Sequence, residues 1–232
     1  MSDQLKLAII GCGAIARFHL DGIKAKAPRI QVTTLVDIDI SKAQVFAAET
    51  GGRAFDSLDE ALAKGDFDAV DILLPHDLHE KIAIQCLQAG KHVLLEKPIA
   101  PTLDACDRIF AAVKEAPGVF MVAENSQYWP EIVEAKKHIE AGAIGDIITA
   151  RAAFVYAFED YWFKEKKPWR YEKGRTGGGI IIDGGSHWIR PLRMWMGELK
   201  EVVGVLGHPL EQMEGESLTR ALFRFESGKT CL

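Results

Sequence analysis

The chain has 232 residues, 48% of them hydrophobic and 26% charged, a composition that suits one large or two modest globular domains. A net charge of −5 with no lysine- or arginine-rich block argues against nucleic acid or an anionic membrane as partner. No run is long and apolar enough to span a bilayer, the first strand starts too early to leave room for a signal peptide, and the four scattered cysteines lack a C-x-x-C pair; the expectation is a cytoplasmic protein with reduced thiols.

Leu5 to Ile10 is a short apolar run of the length of a buried strand. It breaks at Gly11-Cys12-Gly13-Ala14-Ile15-Ala16, and a helix-like stretch follows. This is the glycine fingerprint of dinucleotide binding with alanine in the last place. Gly11 allows the tight turn, Gly13 lets the backbone approach a pyrophosphate, and Ala16 lets the helix pack close to the strand. The helix N-terminus offers unpaired N–H groups to the phosphates. Cys12 reads as a small residue that fits the loop rather than as a redox group. The fingerprint alone is weak evidence, but here it has a strand before it and a helix after it. Asp37 closes the next apolar run, Ile30 to Val36, 21 residues beyond Ala16. A carboxylate there would hold the ribose hydroxyls and repel a 2′-phosphate, and the nearest following cation is Lys42. NAD is the expected cofactor, with NADP the second choice; the plainer reading of Asp37 is a solvated strand-end carboxylate.

The strand and helix signals keep alternating to about residue 123, the mark of a parallel sheet covered on both faces. Ser41 is placed to cap a helix ending at Gly51-Gly52, and Ser57-Leu58-Asp59-Glu60 reads as a capping box after a short strand, Arg53 to Phe55. Ala69 to Leu74 is the fourth strand. Asp71 inside it needs a partner if it is buried, and nothing in the sequence names one. A helix closed by Gly90 leads to a fifth strand, His92 to Leu95; Thr102 caps the next helix, and Val119 to Ala123 is the sixth strand. These elements make a complete dinucleotide-binding domain over residues 1–123. From 124 to 232 the pattern changes to an α+β second domain. Pro130 opens a helix and Gly142 closes it, Ile147 to Tyr156 reads as a strand, and Phe158 to Arg175 as a functional loop. A helix is expected from Asp183 to Met196, with strands at Glu201 to Leu206 and Leu218 to Phe225 in an open, mostly antiparallel sheet.

Three constellations carry chemistry. Leu74-Pro75-His76-Asp77-Leu78-His79 lies at the C-terminal end of the fourth strand, the edge where parallel sheets bind ligands. Leu74, Pro75, His76 and His79 are expected to line the cofactor. The two histidines lack a third ligand at suitable spacing, so no metal is expected. Gly90-Lys91-His92-Val93-Leu94-Leu95-Glu96-Lys97-Pro98 places a lysine just past an apolar strand, where a merely solvated lysine is harder to account for. Asp183 and His187, after Gly177-Gly178-Gly179, stand four apart on one side of a helix, good geometry for acid–base work on one substrate. On spacing alone a capping aspartate beside an unrelated histidine explains them as well.

Together these segments resemble the Gfo/Idh/MocA family, the glucose–fructose oxidoreductase and inositol dehydrogenase superfamily, from Leu5 to Leu232. The most specific likeness is Gly90 to Pro98, supported by the glycine fingerprint and by Gly177 to His187. The resemblance implies NAD(P)-dependent hydride transfer at a carbinol carbon of a sugar, cyclitol or related polyol. It places Lys97, Asp183 and His187 at catalytic positions that also touch substrate. It places Glu96, Lys97 and Asn125 beside the cofactor, and Trp169-Arg170 on the substrate side. His187 would then serve as the base, Lys97 would stabilise the developing alkoxide, and Asp183 would orient a neighbouring hydroxyl. Two departures are visible. Ser126-Gln127-Tyr128 stands where many members carry a basic residue, and the chain stops inside what is expected to be the family's large sheet. The expectation is therefore a truncated form whose full-length counterpart is a homo-oligomer. Two rivals stay open: a catalytically silent NAD(P)-binding sensor on the same fold, and a hydrolase that uses bound NAD as a redox catalyst.

Overall fold

Strand β1 (Leu5–Ile10) is apolar on both faces, and that requires a central place in a sheet covered on both sides. Leu7 and Ile9 enter one core with Leu20, Leu35 and Phe46; Ala8 and Ile10 enter the other with Val70, Ile72 and Leu95. The computed structural model describes residues 4–155 and 168–232, and the chain divides into two units, Met1–Ala123 and Glu124–Leu232.

In the first unit β1 is joined by β2 (Ile30–Val36), β3 (Arg53–Phe55), β4 (Ala69–Ile72), β5 (His92–Leu95) and β6 (Phe120–Val122), in the order β3-β2-β1-β4-β5-β6. All five pairings are parallel, so every strand delivers its C-terminal loop to the same edge. The helices are α1 (Ala14–Lys26), α2 (Ile40–Thr50), α3 (Leu58–Lys64), α4 (His76–Gln88) and α5 (Leu103–Glu115). Ser57 and Thr102 cap α3 and α5 by accepting from the N–H groups of Glu60 and Ala105. The Ser57 box is only half made, because Glu60 pairs with Lys64 at 2.6 Å. Asp39 rather than Ser41 caps α2; its Oδ1 accepts from both the N–H and the hydroxyl of Ser41. Strand β4 stops at Ile72 instead of Leu74, because its partner β1 ends at Ile10 and Pro75 turns the chain into α4.

In the second unit α6 (Pro130–Glu140) starts with its proline at the first helical position. A four-stranded sheet follows, ordered β7-β10-β9-β8: β7 (Thr149–Ala150), β8 (Leu199–Gly207), β9 (Leu218–Phe225) and β10 (Thr230–Cys231). Only the β7–β10 pair is parallel. The strand expected over Ile147 to Tyr156 shrinks to β7, because β10 offers just two residues to pair with. Tyr156 lies outside the described residues, as does much of the expected loop; Trp169–Tyr171 and Lys173–Thr176 each form a single helical turn. The helix expected from Asp183 splits into a π-helical turn, Ile181–Gly185, and α7 (Ser186–Met196). All five tryptophans and all four tyrosines of the chain belong to this second unit. No helix among the described residues is long and apolar enough to cross a membrane.

Candidate functional site

At the ligand-binding edge of the first unit, Gly11 adopts φ +96°, and a Cβ there would meet the carbonyl oxygen of Leu73 at 2.5 Å. The β1 and β4 loops therefore close on each other only through glycine. Gly13, at the start of α1, has nothing among the described residues within 4 Å of where a Cβ would be. It provides no side-chain cap, and the first turn of α1 holds no acidic residue. That combination suits a pyrophosphate. Asp37 sits beside the cradle: Oδ2 accepts from the Cys12 N–H at 2.8 Å and Oδ1 from the Asp39 N–H at 2.9 Å. Two backbone bonds fix the carboxylate and leave acceptor capacity for ribose hydroxyls. Cys12 is buried, and burial together with Asp37 pushes its thiol up to about 12, so it stays protonated and inert as a small filler. Ala14, Ile15 and Ala16 occupy the first turn of α1, where Ala16 is fully buried as close packing requires.

The Glu96-Lys97-Pro98 turn follows β5, with Lys97 half-buried. Glu96 Oε2 accepts from the Lys97 backbone N–H at 2.8 Å. His79 is fully buried, and its ring nitrogens face the carbonyls of Pro98 and Leu74, each at 2.9 Å. Burial pulls this imidazole below its ordinary value. His79 thus sits between the Leu74-Pro75 loop and the lysine turn; its neutral ring has one N–H to donate to one of the two carbonyls. His76 is also buried, 5.6 Å from His79 between ring centroids. Among the described residues no group of three or more His, Cys, Asp or Glu is placed to hold a metal. Asp71, left without a named partner in the sequence, meets His19.

In the second unit His187 starts α7 and its Nδ1 lies 2.5 Å from Glu124 Oε1. A carboxylate only accepts, so Nδ1 carries the proton and Nε2 is the basic nitrogen. Glu124 also accepts from the N–H and hydroxyl of Ser126. Burial works against the charged carboxylate, but the bonds from His187 and Ser126 outweigh it and hold the carboxyl below its usual value. Trp129 flanks the imidazole, 5.8 Å between centroids. Asp183, in the π-helical turn, pairs with Arg170 at 3.4 Å, and Arg170 lies over the Trp169 ring at 4.5 Å. Asp183, Arg170 and Trp169 are therefore brought together, while His187 takes a separate partner. Asn125 is exposed and opens the turn Ser126–Tyr128. The Asp183 turn itself is hung on Glu216, only 6% exposed, whose carboxylate accepts from the N–H groups of Gly179 and Ile181 at 2.9 and 3.1 Å.

Sequence reasoning missed Glu124, Glu216 and His19 as parts of this machinery. The signals were slight: a glutamate at the end of the sixth strand, a glutamate among small residues, and a histidine on the first helix. Each meets its partner only through tertiary structure.

The sequence profile of the GFO/IDH/MocA oxidoreductase family, NAD-binding Rossmann fold, matches residues 5–124, and that of the GFO/IDH/MocA C-terminal domain matches residues 132–232. The levoglucosan dehydrogenase of Pseudarthrobacter phenanthrenivorans is 38% identical over 217 residues, covering 88% of this chain and 54% of that protein. The chain spans about half the length of the curated relatives it matches. The WlbA dehydrogenase of Bordetella pertussis, solved with NADH and UDP-GlcNAcA, superposes with a TM-score of 0.87 at 26% identity over 98% of this chain and 65% of that one. An oxidoreductase from Thermotoga maritima superposes with a TM-score of 0.88 at 30% identity over 98% of this chain and 71% of that one.

Proposed function

The chain belongs to the GFO/IDH/MocA oxidoreductase family, and from that premise we propose that it serves an NAD-dependent dehydrogenase acting on a carbinol carbon of a sugar, cyclitol or related polyol. The observation that carries this reading is the His187–Glu124 pair. A histidine with one nitrogen fixed by a carboxylate presents the other as a proton acceptor, and oxidation of a carbinol needs that proton removed. The cofactor cradle at Gly11 to Ala16, with Asp37, supports it from the first unit.

When bound, NAD supplies the hydride acceptor. Lys97 is assigned the oxygen that develops alkoxide charge, as a donor at the end of β5. His187 takes the hydroxyl proton through Nε2, and Glu124 keeps the ring in the tautomer that allows it. Asp183 and Arg170 make a charged pair suited to holding a neighbouring hydroxyl, with Trp169 as an apolar surface for the sugar ring. Gly11, Gly13 and the first turn of α1 hold the pyrophosphate. Asp37 selects the unphosphorylated ribose. Leu74, Pro75, His76, Glu96 and Asn125 are assigned to the cofactor.

The test is a screen of sugars and polyols with NAD and NADP, reading absorbance of the reduced cofactor, run on the unmodified chain and on His187→Ala. The expected result is NAD-linked turnover that His187→Ala removes. NADH binding without turnover on any polyol would favour the silent binding protein instead.

A further inference from the structure

We propose that His19 is a positioning residue for Lys97, held as an imidazolium between the buried carboxylate of Asp71 and the half-buried one of Glu96 and acting through Glu96. This rests on the reading that Lys97 acts in turnover. His19 projects from α1. Its Nδ1 lies 2.8 Å from Asp71 Oδ2 on β4, and its Nε2 lies 3.2 Å from Glu96 Oε1 at the end of β5. The other oxygen of Glu96 takes the Lys97 backbone N–H at 2.8 Å. One unbroken chain of hydrogen bonds therefore runs Asp71, His19, Glu96, Lys97.

Both ring nitrogens face carboxylate oxygens. Carboxylates have no proton to give, so each nitrogen must donate, and only the imidazolium has two N–H groups. Asp71 is 1% exposed, and its Oδ1 makes no hydrogen bond among the described residues. A carboxylate so placed needs a cation, and His19 is the one it meets. Burial favours the neutral ring, but the bonds to Asp71 and Glu96 outweigh it and raise the imidazole to about 10. Burial, with the nearby charge of Glu96, holds the Asp71 carboxyl above its ordinary value, against the opposing pull of His19. The charged groups facing the ring are Asp71 from β4 and Glu96 from β5, with Lys97 next on the same turn.

The device explains why an acidic residue sits inside an otherwise apolar strand. The Pro98 carbonyl, next after Lys97, faces the buried His79 ring. Each neighbour of Lys97 thus meets a histidine from a different helix, α1 for Glu96 and α4 for Pro98. Loosening a reacting group by a fraction of an ångström is costly to rate and nearly silent in binding.

The experiment compares the unmodified chain with His19→Gln, Asp71→Asn, the double variant and Lys97→Met. It measures kcat and KM on a polyol found in the screen, NADH affinity, and the imidazole nitrogen shifts of His19 by NMR. The expected result is a His19 ring protonated on both nitrogens at pH 8, returning to ordinary titration in Asp71→Asn. In the single variants kcat falls about tenfold to a hundredfold, while KM and NADH affinity move by less than about threefold. The double variant should be no worse than the poorer single one, because both act through one chain of bonds. Should His19→Gln fail to fold, Asp71→Asn keeps the shape, removes the charge and carries the test. A neutral His19 ring at pH 8 overturns the proposal without touching the proposed reaction. Full kcat in both single variants, with Lys97→Met inactive, does the same. Full turnover in Lys97→Met would instead bring down the reading beneath it, and the proposal with it.

Discussion

On the proposed reaction His187 is the base and Lys97 the donor to the alkoxide, and single substitutions should separate those roles from cofactor binding. His187→Ala should lower kcat about a hundredfold to ten-thousandfold, the usual worth of a general base, with NADH affinity nearly unchanged. Lys97→Met should also fall mainly in kcat, because the ammonium acts on charge that exists in the transition state. Asp37→Ser should narrow the preference for NAD over NADP, measured as the ratio of the two dissociation constants. His19 gives a stability signature as well. Its folded value, about 10, stands above the ordinary 6.5, so its contribution is complete below about 6.5 and is lost as pH rises through about 10. Denaturant midpoints should therefore fall between those pH values in the unmodified chain more than in the His19→Gln/Asp71→Asn double variant, where neither group titrates. At this scale the sequence was legible for the glycine turn, because the strand before it and the helix after it are local patterns. Glu124 with His187, and Asp71 with His19, stand 63 and 52 residues apart, and no local pattern encodes such a meeting.

Two glycines of the elements that carry these groups look alike in sequence and have opposite roles. At Gly179 an added Cβ would lie 1.9 Å from the Glu216 carbonyl oxygen, a backbone atom that cannot move aside. Gly179→Ala should destabilise the second unit by about 1–3 kcal/mol, read as a lower denaturation midpoint in tryptophan emission. At Gly13 an added methyl meets nothing within 4 Å. Gly13→Ala should leave stability within about 1 kcal/mol but weaken NADH binding, because the methyl enters space assigned to the pyrophosphate. The helices and strands of the first unit were legible almost residue by residue, since parallel strands buried on both faces are apolar throughout and three of the five helices carry cap residues. The second unit was less so. Strand β7 is set by the shortness of its partner, and the π-helical turn at Asp183 is set by Glu216 from far along the chain; neither is a property of its own residues.

At the scale of the whole molecule, one face of the open sheet carries a run of exposed apolar side chains. Val203 and Val205 on β8 are each 71% exposed, and Leu218 and Leu222 on β9 share that face, interrupted by Arg220 and by the Arg224–Glu201 pair. A face of this kind favours association with another protein surface. We expect concentration-dependent self-association of the chain in light scattering, reduced by Val203→Lys/Val205→Lys; a concentration-independent monomer for the unmodified chain would count against it.

The uneven placement of tryptophan and tyrosine makes them a built-in optical reporter on one half of the molecule. The first unit holds neither tryptophan nor tyrosine, so it is dark to excitation at the wavelengths those rings absorb. Tryptophan and tyrosine emission of the protein alone therefore reports the half that carries His187. That half can be followed through a titration or a rapid-mixing experiment without any attached dye. A substitution in the first unit that leaves this emission unmoved has left the second unit undisturbed.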